Sequence, residues 1–216
     1  MRIAAAGDGA LIVELSGDID PEANRRALAL KQRLEARWPG LRDVVVAYGG
    51  LAIYFDPVAC DVRRLEDELR ALGDDPPPPA MAAAPRVVDV PVRYGGADGP
   101  DLAGIAGRAG LPESEVIALH AGVVYRVHAL GFVAGFAYMA SVDARIAFPR
   151  RETPRPRVPA GSVAIAAGQT GIYPIATPGG WHLIGRTDVR PWDPLRSRPS
   201  MFEVGDAVRF HQVEGG

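Results

Sequence analysis

Three stretches in the second half of this sequence concentrate residue types that do chemistry. The first is Tyr125-Arg126-Val127-His128-Ala129-Leu130-Gly131-Phe132-Val133-Ala134-Gly135-Phe136-Ala137-Tyr138. In an extended strand Arg126 and His128 share one face, and Tyr125 and Val127 take the other. Two Gly-Phe pairs then interrupt the strand. Glycine permits close backbone approach or positive φ, and phenylalanine supplies a flat apolar wall, which makes Phe132 and Phe136 candidate walls of a pocket rim. The same rings read equally as core, and His128 as a satisfied structural histidine. The second stretch is Pro149-Arg150-Arg151-Glu152-Thr153-Pro154-Arg155-Pro156-Arg157-Val158-Pro159, with four arginines and one acid. Proline holds such an arm extended, and each guanidinium offers a planar fork that fits a carboxylate or phosphate. It reads as an anion site, or else as a solvated basic loop. The third runs from Gly168-Gln169-Thr170-Gly171-Ile172-Tyr173-Pro174 to Pro178-Gly179-Gly180-Trp181 and Gly185-Arg186-Thr187. A glutamine both donates and accepts, so Gln169 suits an amide, and Arg186 at a strand end suits a charge; Pro178-Gly179-Gly180 also reads as plain turn chemistry.

Other chemistries lack their residues. Of the 24 basic residues only Lys31 is lysine, and it sits in Leu30-Lys31-Gln32. The Gly-Lys-Ser/Thr of a P-loop is therefore missing. No Gly-x-Ser-x-Gly elbow, no His-Glu-x-x-His and no helix-opening Gly-x-Gly-x-x-Gly occurs. The four histidines (His120, His128, His182, His211) are scattered without metal-ligand spacing, so no metal site is expected. Cys60 is the only cysteine, which excludes an internal disulfide and a Cys-based zinc cluster.

Two kinds of fold must position these residues. Leu11–Ser16 reads as a strand, and Asp20-Pro21-Glu22 as a helix start with a capping side chain and proline at the first helical position. Leu30, Leu34 and Trp38 fall on one helix face, and Pro39-Gly40 ends it. Val44–Tyr48, Gly49-Gly50 and Leu51–Phe55 predict a hairpin turning at the two glycines. Val58, Val62, Leu65, Leu69 and Leu72 predict a second amphipathic helix with Gly73 as its cap. A tract around Pro76-Pro77-Pro78-Pro79 follows, an extended spacer and the expected domain boundary. The order before it is β-α-β-β-α, with Val87–Arg93 either closing that domain or opening the next. After two short helices, Leu102–Ala109 and Pro112–His120, the pattern is strands and Gly/Pro turns: Val123–Leu130, Val163–Ala166, Gly171–Ile175, Trp181–Gly185 and Ala207–Gln212. Short strands at this spacing predict a closed barrel or sandwich. The domains are expected at 1–85 and 86–216.

The 216 residues carry 24 basic and 26 acidic side chains, a net charge of −2, and 48% hydrophobic residues. That balance excludes general disorder and disfavours a nucleic-acid partner, which normally selects a strong basic excess. The longest apolar run, Val44–Phe55, is far short of the ~20 residues of a membrane span. With no signal-peptide pattern at the start, the expected location is the cytoplasm.

The runs VHALGFVAG (127–135), PRRETPRPRVPAGS (149–162), QTGIYP (169–174) and PGGW (178–181) with Gly185-Arg186-Thr187 occur in one order. Together with Gly7-Asp8-Gly9-Ala10-Leu11 and Gly205-Asp206-Ala207-Val208-Arg209-Phe210, they resemble the 5-oxoprolinase B-subunit family. That family is also described as allophanate hydrolase subunit 1 or Kip-type kinase inhibitor, and corresponds to carboxyltransferase subdomains C and D. One departure is Ala134, where the family commonly has proline. The resemblance implies an α+β fold: a ferredoxin-like β-α-β-β-α(-β) N-terminal domain followed by a cyclophilin-like β-barrel. It implies a polypeptide that works with homologues of the A and C subunits in a complex that opens 5-oxoproline to L-glutamate at the expense of ATP. A kinase-inhibitor role and a urea-carboxylase-related role are the alternatives it leaves open. For the small anionic substrate, the residues so marked are Arg150, Arg155, Arg157 and Arg186 on the carboxylate, Phe132 and Phe136 as walls, and His128, Gln169 and Tyr173 on the amide.

Overall fold

The structure, a computed structural model, describes residues 1–74 and 85–214, and the chain divides into two compact units, Met1–Ala84 and Pro85–Gly216. The proline tract read as a spacer lies outside the described residues.

The first unit contains β1 (Arg2–Ala5), β2 (Ala10–Glu14), α1 (Pro21–Arg37), β3 (Asp43–Ala47), β4 (Gly50–Tyr54) and α2 (Val62–Asp74). Asp20 caps α1 by accepting from the Glu22 N–H at 2.8 Å, with Pro21 opening the helix. Ala23, Ala27, Leu30 and Leu34 repeat at helical spacing and are buried. The strands form an all-antiparallel sheet in the order β1-β2-β4-β3. Leu11, Val13, Val44, Val46, Leu51 and Ile53 alternate onto one buried face, where Leu65, Leu69 and Leu72 of α2 are also buried.

Three expectations change here. The order is β-β-α-β-β-α, one strand more at the start than the β-α-β-β-α of the ferredoxin-like expectation. A strand before the first predicted one turns back through Gly7 (φ +71°) and takes the edge beside β2, while Val87–Arg93 belongs to the second unit. The hairpin turns at Tyr48-Gly49, one residue early: Ala47 pairs with Gly50, and Tyr48 adopts φ +53° while its carbonyl accepts from Asn24 Nδ2 at 2.7 Å. Gly50 is held in the strand because a Cβ there would come within 2.5 Å of the Val13 carbonyl. Finally, α2 starts at Val62, not Val58. The Asp56 carboxylate accepts from the Val58 N–H and folds a separate turn, which leaves Val58 95% exposed.

The second unit contains β5 (Val87–Tyr94), α3 (Leu102–Ala109), α4 (Glu113–Ala121), β6 (Val124–Leu130), β7 (Ala137–Ala140), β8 (Arg155–Val158), β9 (Ser162–Ala166), β10 (Gln169–Ile172), β11 (Thr177–Gly179), β12 (His182–Arg186) and β13 (Ala207–Gln212). Seven strands run β6-β13-β5-β12-β9-β10-β7 and close through β6–β7 into a barrel; only β5–β13 is parallel. β8 and β11 form a separate two-stranded ribbon. Alternate residues fill the barrel: Val90, Val92, Tyr125, Val127, Met139, Val163, Ile165, Ile172, Ile184 and Phe210 share one core, closed by Leu102, Ile105 and Val116 of the helices.

Within that core His120 is fully buried between Tyr94 and Thr170. Thr170 Oγ1 donates to the Ala164 carbonyl (3.2 Å), so it accepts from His120 Nε2 (2.8 Å), and Nδ1 accepts from the Tyr94 hydroxyl (2.7 Å). Both ring nitrogens are thereby paired, with the imidazole neutral. Burial pushes the His120 pKa down to about 3, whereas the unfolded chain titrates near ~6.5. The stabilisation from neutral His120 is complete above that unfolded value and is lost as pH falls from ~6.5 toward 3, because only the unfolded state takes up the proton. Between pH 7.5 and 5 the wild type is expected to lose roughly 2 kcal/mol more than His120→Gln. Urea titrations followed by Trp181 and Trp192 fluorescence measure this; identical losses would refute it.

Candidate functional site

The three chemistry-bearing stretches meet on the outer wall of the barrel. β10 alternates Gln169, Gly171 and Tyr173 onto one side, roughly 13 Å from end to end. Gly171 leaves room for Phe136, since a Cβ there would sit 3.0 Å from the ring. Phe136 is the centre of an aromatic cluster, packing edge-on against Phe132 (5.5 Å between centroids), Tyr138 (4.9 Å), Tyr173 (5.5 Å) and Trp181 (5.5 Å). Phe136 and Tyr173 are 2% exposed, whereas Phe132 is 57% exposed and also packs on Tyr173. The turn joining β6 to β7 sets this arrangement: Phe132 adopts φ +68° and Gly135 +83°, and the Gly131 N–H reaches the Phe136 carbonyl (3.2 Å). A phenylalanine in the left-handed region is strained, and such strain concentrates at functional positions.

The arginine arm is fastened to the same wall. β8 pairs with β11, the Arg151 N–H donates to the Gly180 carbonyl (2.8 Å), and His182 Nε2 donates to the Pro149 carbonyl (2.8 Å). Pro178-Gly179-Gly180 is therefore more than a turn: a Cβ at Gly179 would lie 2.3 Å from the Tyr173 hydroxyl. Burial pushes the Tyr173 pKa up, against the opposing pull of the Trp181 amide and of the Arg150 and Arg155 charges. The group is thus a neutral phenol in a positive field. Gly179→Ala is expected to displace that phenol and to destabilise the unit by about 1–3 kcal/mol; a thermal melt unchanged from wild type would contradict it.

Asp101 organises the arm, and its sequence context does not mark it out. It reads as a helix N-cap for α3, but its carboxylate makes no capping bond. It accepts instead from Arg155 Nη2 (2.8 Å), Arg151 Nη1 (3.2 Å) and the Leu183 N–H (2.7 Å), while its own N–H donates to the Leu183 carbonyl (2.9 Å). Burial raises the Asp101 pKa, yet these donors outweigh burial and hold it below the usual carboxylate range.

Not every expected residue joins the cluster. Arg150 is exposed at its edge and Arg155 half-buried within it; Arg157 is exposed on β8. Arg186 pairs with Ser162, whose carbonyl accepts from the Tyr173 N–H, so it lies two strands from Tyr173, and its charge acts on Asp188. His128 is buried, 1% exposed, as the extra residue of a bulge in β6 between the partners of Met139 and Tyr138. The bulge breaks the simple alternation with Arg126, which donates to the Gly205 carbonyl (3.2 Å). Gln169 is half-buried at the far end of the β10 row. Among the described residues no group of His, Cys, Asp and Glu side chains is arranged to hold a metal ion, and no helix is long and apolar enough to cross a membrane.

Residues 1–202 match the family described as carboxyltransferase domain, subdomain C and D. The chain belongs to this family. It is 38% identical over 97% of the length of the 5-oxoprolinase B-subunit from Escherichia coli O157:H7, and 34% identical over 92% of the protein of that name from Bacillus subtilis strain 168. Among solved structures, TTHA0988 superposes with a TM-score of 0.84 at 45% identity over 96% of this chain, which spans 40% of that longer chain. PH0987 from Pyrococcus horikoshii is 38% identical over 98% of its own length, with a TM-score of 0.59. Kluyveromyces lactis urea carboxylase, at 18% identity and a TM-score of 0.76, shares the fold over 22% of its chain.

Proposed function

We propose that this chain is the B-subunit of an ATP-dependent 5-oxoprolinase, a non-autonomous, cytoplasmic component that acts with homologues of the A and C subunits to open 5-oxoproline to L-glutamate. Relatives that carry the 5-oxoprolinase B-subunit name, aligned over almost their whole length, support it. The observation that carries it at the site is the convergence of Tyr173, Phe132 and the Arg150/Arg155 charges on one wall of a cyclophilin-like barrel. Together with Asp101, these groups suit a compact ring bearing one carboxylate and one amide.

In this reading the second domain, from about residue 86, recognises the substrate. Phe132 walls the ring at the surface with Phe136 buried behind it, the arginine arm takes the carboxylate, and the Tyr173 phenol faces the lactam carbonyl, where charge grows as water adds, whereas Gln169, ~13 Å along the row, does not reach that carbonyl. His128 is too buried to meet substrate directly and acts by setting the β6–β7 wall. Water is added across the C–N bond, giving the second carboxyl group and the free amine of glutamate. ATP supplies the driving force. The sequence holds no Gly-Lys-Ser/Thr, so any ATP contact of this chain is made without a P-loop or is shared with the partner subunits. Purified chain combined with its A and C partners is expected to release glutamate from 5-oxoproline with ATP; full activity without this chain would end the reading.

The exposed Phe132 ring favours a second reading, as a docking surface that inhibits a sensor histidine kinase. Suppression of a cognate kinase's autophosphorylation by the isolated chain would support it.

A further inference from the structure

The geometry points to Arg155 as the carboxylate-recognition residue of the site, held in place there by Asp101. This rests on the lactam-opening reading for the identity of the substrate. Two guanidinium groups, Arg151 and Arg155, share the single Asp101 carboxylate, and that carboxylate also serves the Leu183 N–H. These groups therefore hold one positive charge more than the carboxylate balances, in a half-buried setting. Among the described residues, Arg151 Nε and Arg155 Nη1 are buried without a hydrogen-bond partner. A buried donor left in this state is costly, and a charged one more so. An anion at the adjoining rim offsets that cost.

The rim is where Arg155 is still 22% exposed and where Arg150 stands exposed to solvent. Both charges act on the Tyr173 hydroxyl, and Phe132 packs edge-on against the Tyr173 ring. Arg157 and Arg186 lack this setting: one is solvated, and the other is exposed two strands from Tyr173. A ring amide lacking a carboxylate gains nothing from the surplus charge.

The test compares 5-oxoproline with 2-pyrrolidinone, the same lactam without its carboxylate. Turnover by the reconstituted complex and calorimetric binding to it are measured for wild type, Arg155→Met and Arg155→Lys. In Arg155→Met the binding preference for 5-oxoproline over 2-pyrrolidinone is expected to fall about 10–100-fold. Arg155→Lys, with charge but no fork, falls between. If the Met variant does not fold, the Lys variant decides. A wild-type preference in the folded variant overturns the inference even where the complex is fully active. Carboxylate-dependent binding that needs Arg155, in a complex that releases no glutamate, upholds the inference and removes the lactam-opening reading.

Discussion

Asp101→Ala is expected to destabilise the barrel unit by about 3–5 kcal/mol, the largest stability effect of any single charge removal in it. The carboxylate accepts three hydrogen bonds, two from guanidinium groups and one from the Leu183 backbone. Removing it leaves two like charges side by side and an amide without its acceptor. A single-partner deletion of this kind costs far more than the net value of the pair, because the partner remains desolvated. The prediction has an internal control: Asp101→Ala combined with Arg155→Met is expected to recover part of the loss, since the uncompensated charge goes with the side chain. Trp181 and Trp192 lie in the second unit and Trp38 in the first, so denaturation followed by selective tryptophan replacement assigns the loss to the barrel. Additive losses in the double variant would show that the ion pairs are not coupled.

The same aspartate marks the limit of what the sequence discloses. Gly99-Pro100-Asp101 ahead of an apolar run is a helix-start pattern, and α3 does start there. Nothing local says that the carboxylate turns away from the helix to meet arginines 50 and 54 residues later. Local periodicity serves well where burial is one-sided: α1, its Asp20 cap and the alternating strands β2, β3 and β4 follow from spacing alone. It fails where a position departs from its period. The bulge at His128 reverses the facing of the following residues, and the turn at Tyr48 places a non-glycine residue at positive φ. β7 and β8 escape a reading by pattern because they are four residues each and lie beside Gly-Phe and Pro-Arg runs that look like loop. The site is more legible than its geometry. The Gly-Phe pairs, the arginine arm and Tyr173 are recognisable as residue types. What joins them is tertiary: the β8–β11 ribbon, which pairs Gly179 with Arg155 and brings the arm to the tyrosine.

Tyr173→Phe is expected to lower kcat of the complex for 5-oxoproline by about 10²–10³-fold while leaving KM near its wild-type value. The substitution keeps the ring, and with it the edge-on contacts to Phe132 and Phe136, so stability should change little. Only the hydroxyl is lost. Burial keeps that hydroxyl protonated at neutral pH, and the Trp181 amide acts on its oxygen, which leaves the phenolic hydrogen to donate elsewhere. An O–H donor held in place by Gly179 and placed in the field of two arginines costs little reorganisation as charge develops on a carbonyl oxygen. Phe132 packs edge-on against Tyr173 and is the most exposed ring of the cluster, so a substrate that approaches this wall meets Phe132 first. Phe132→Ala then separates the two roles: it acts chiefly on KM, through the lost wall, where Tyr173→Phe acts on kcat. Steady-state kinetics on both variants decides the assignment. An unchanged kcat in Tyr173→Phe, with the protein folded, would remove the phenol from the chemistry and leave the wall with binding alone.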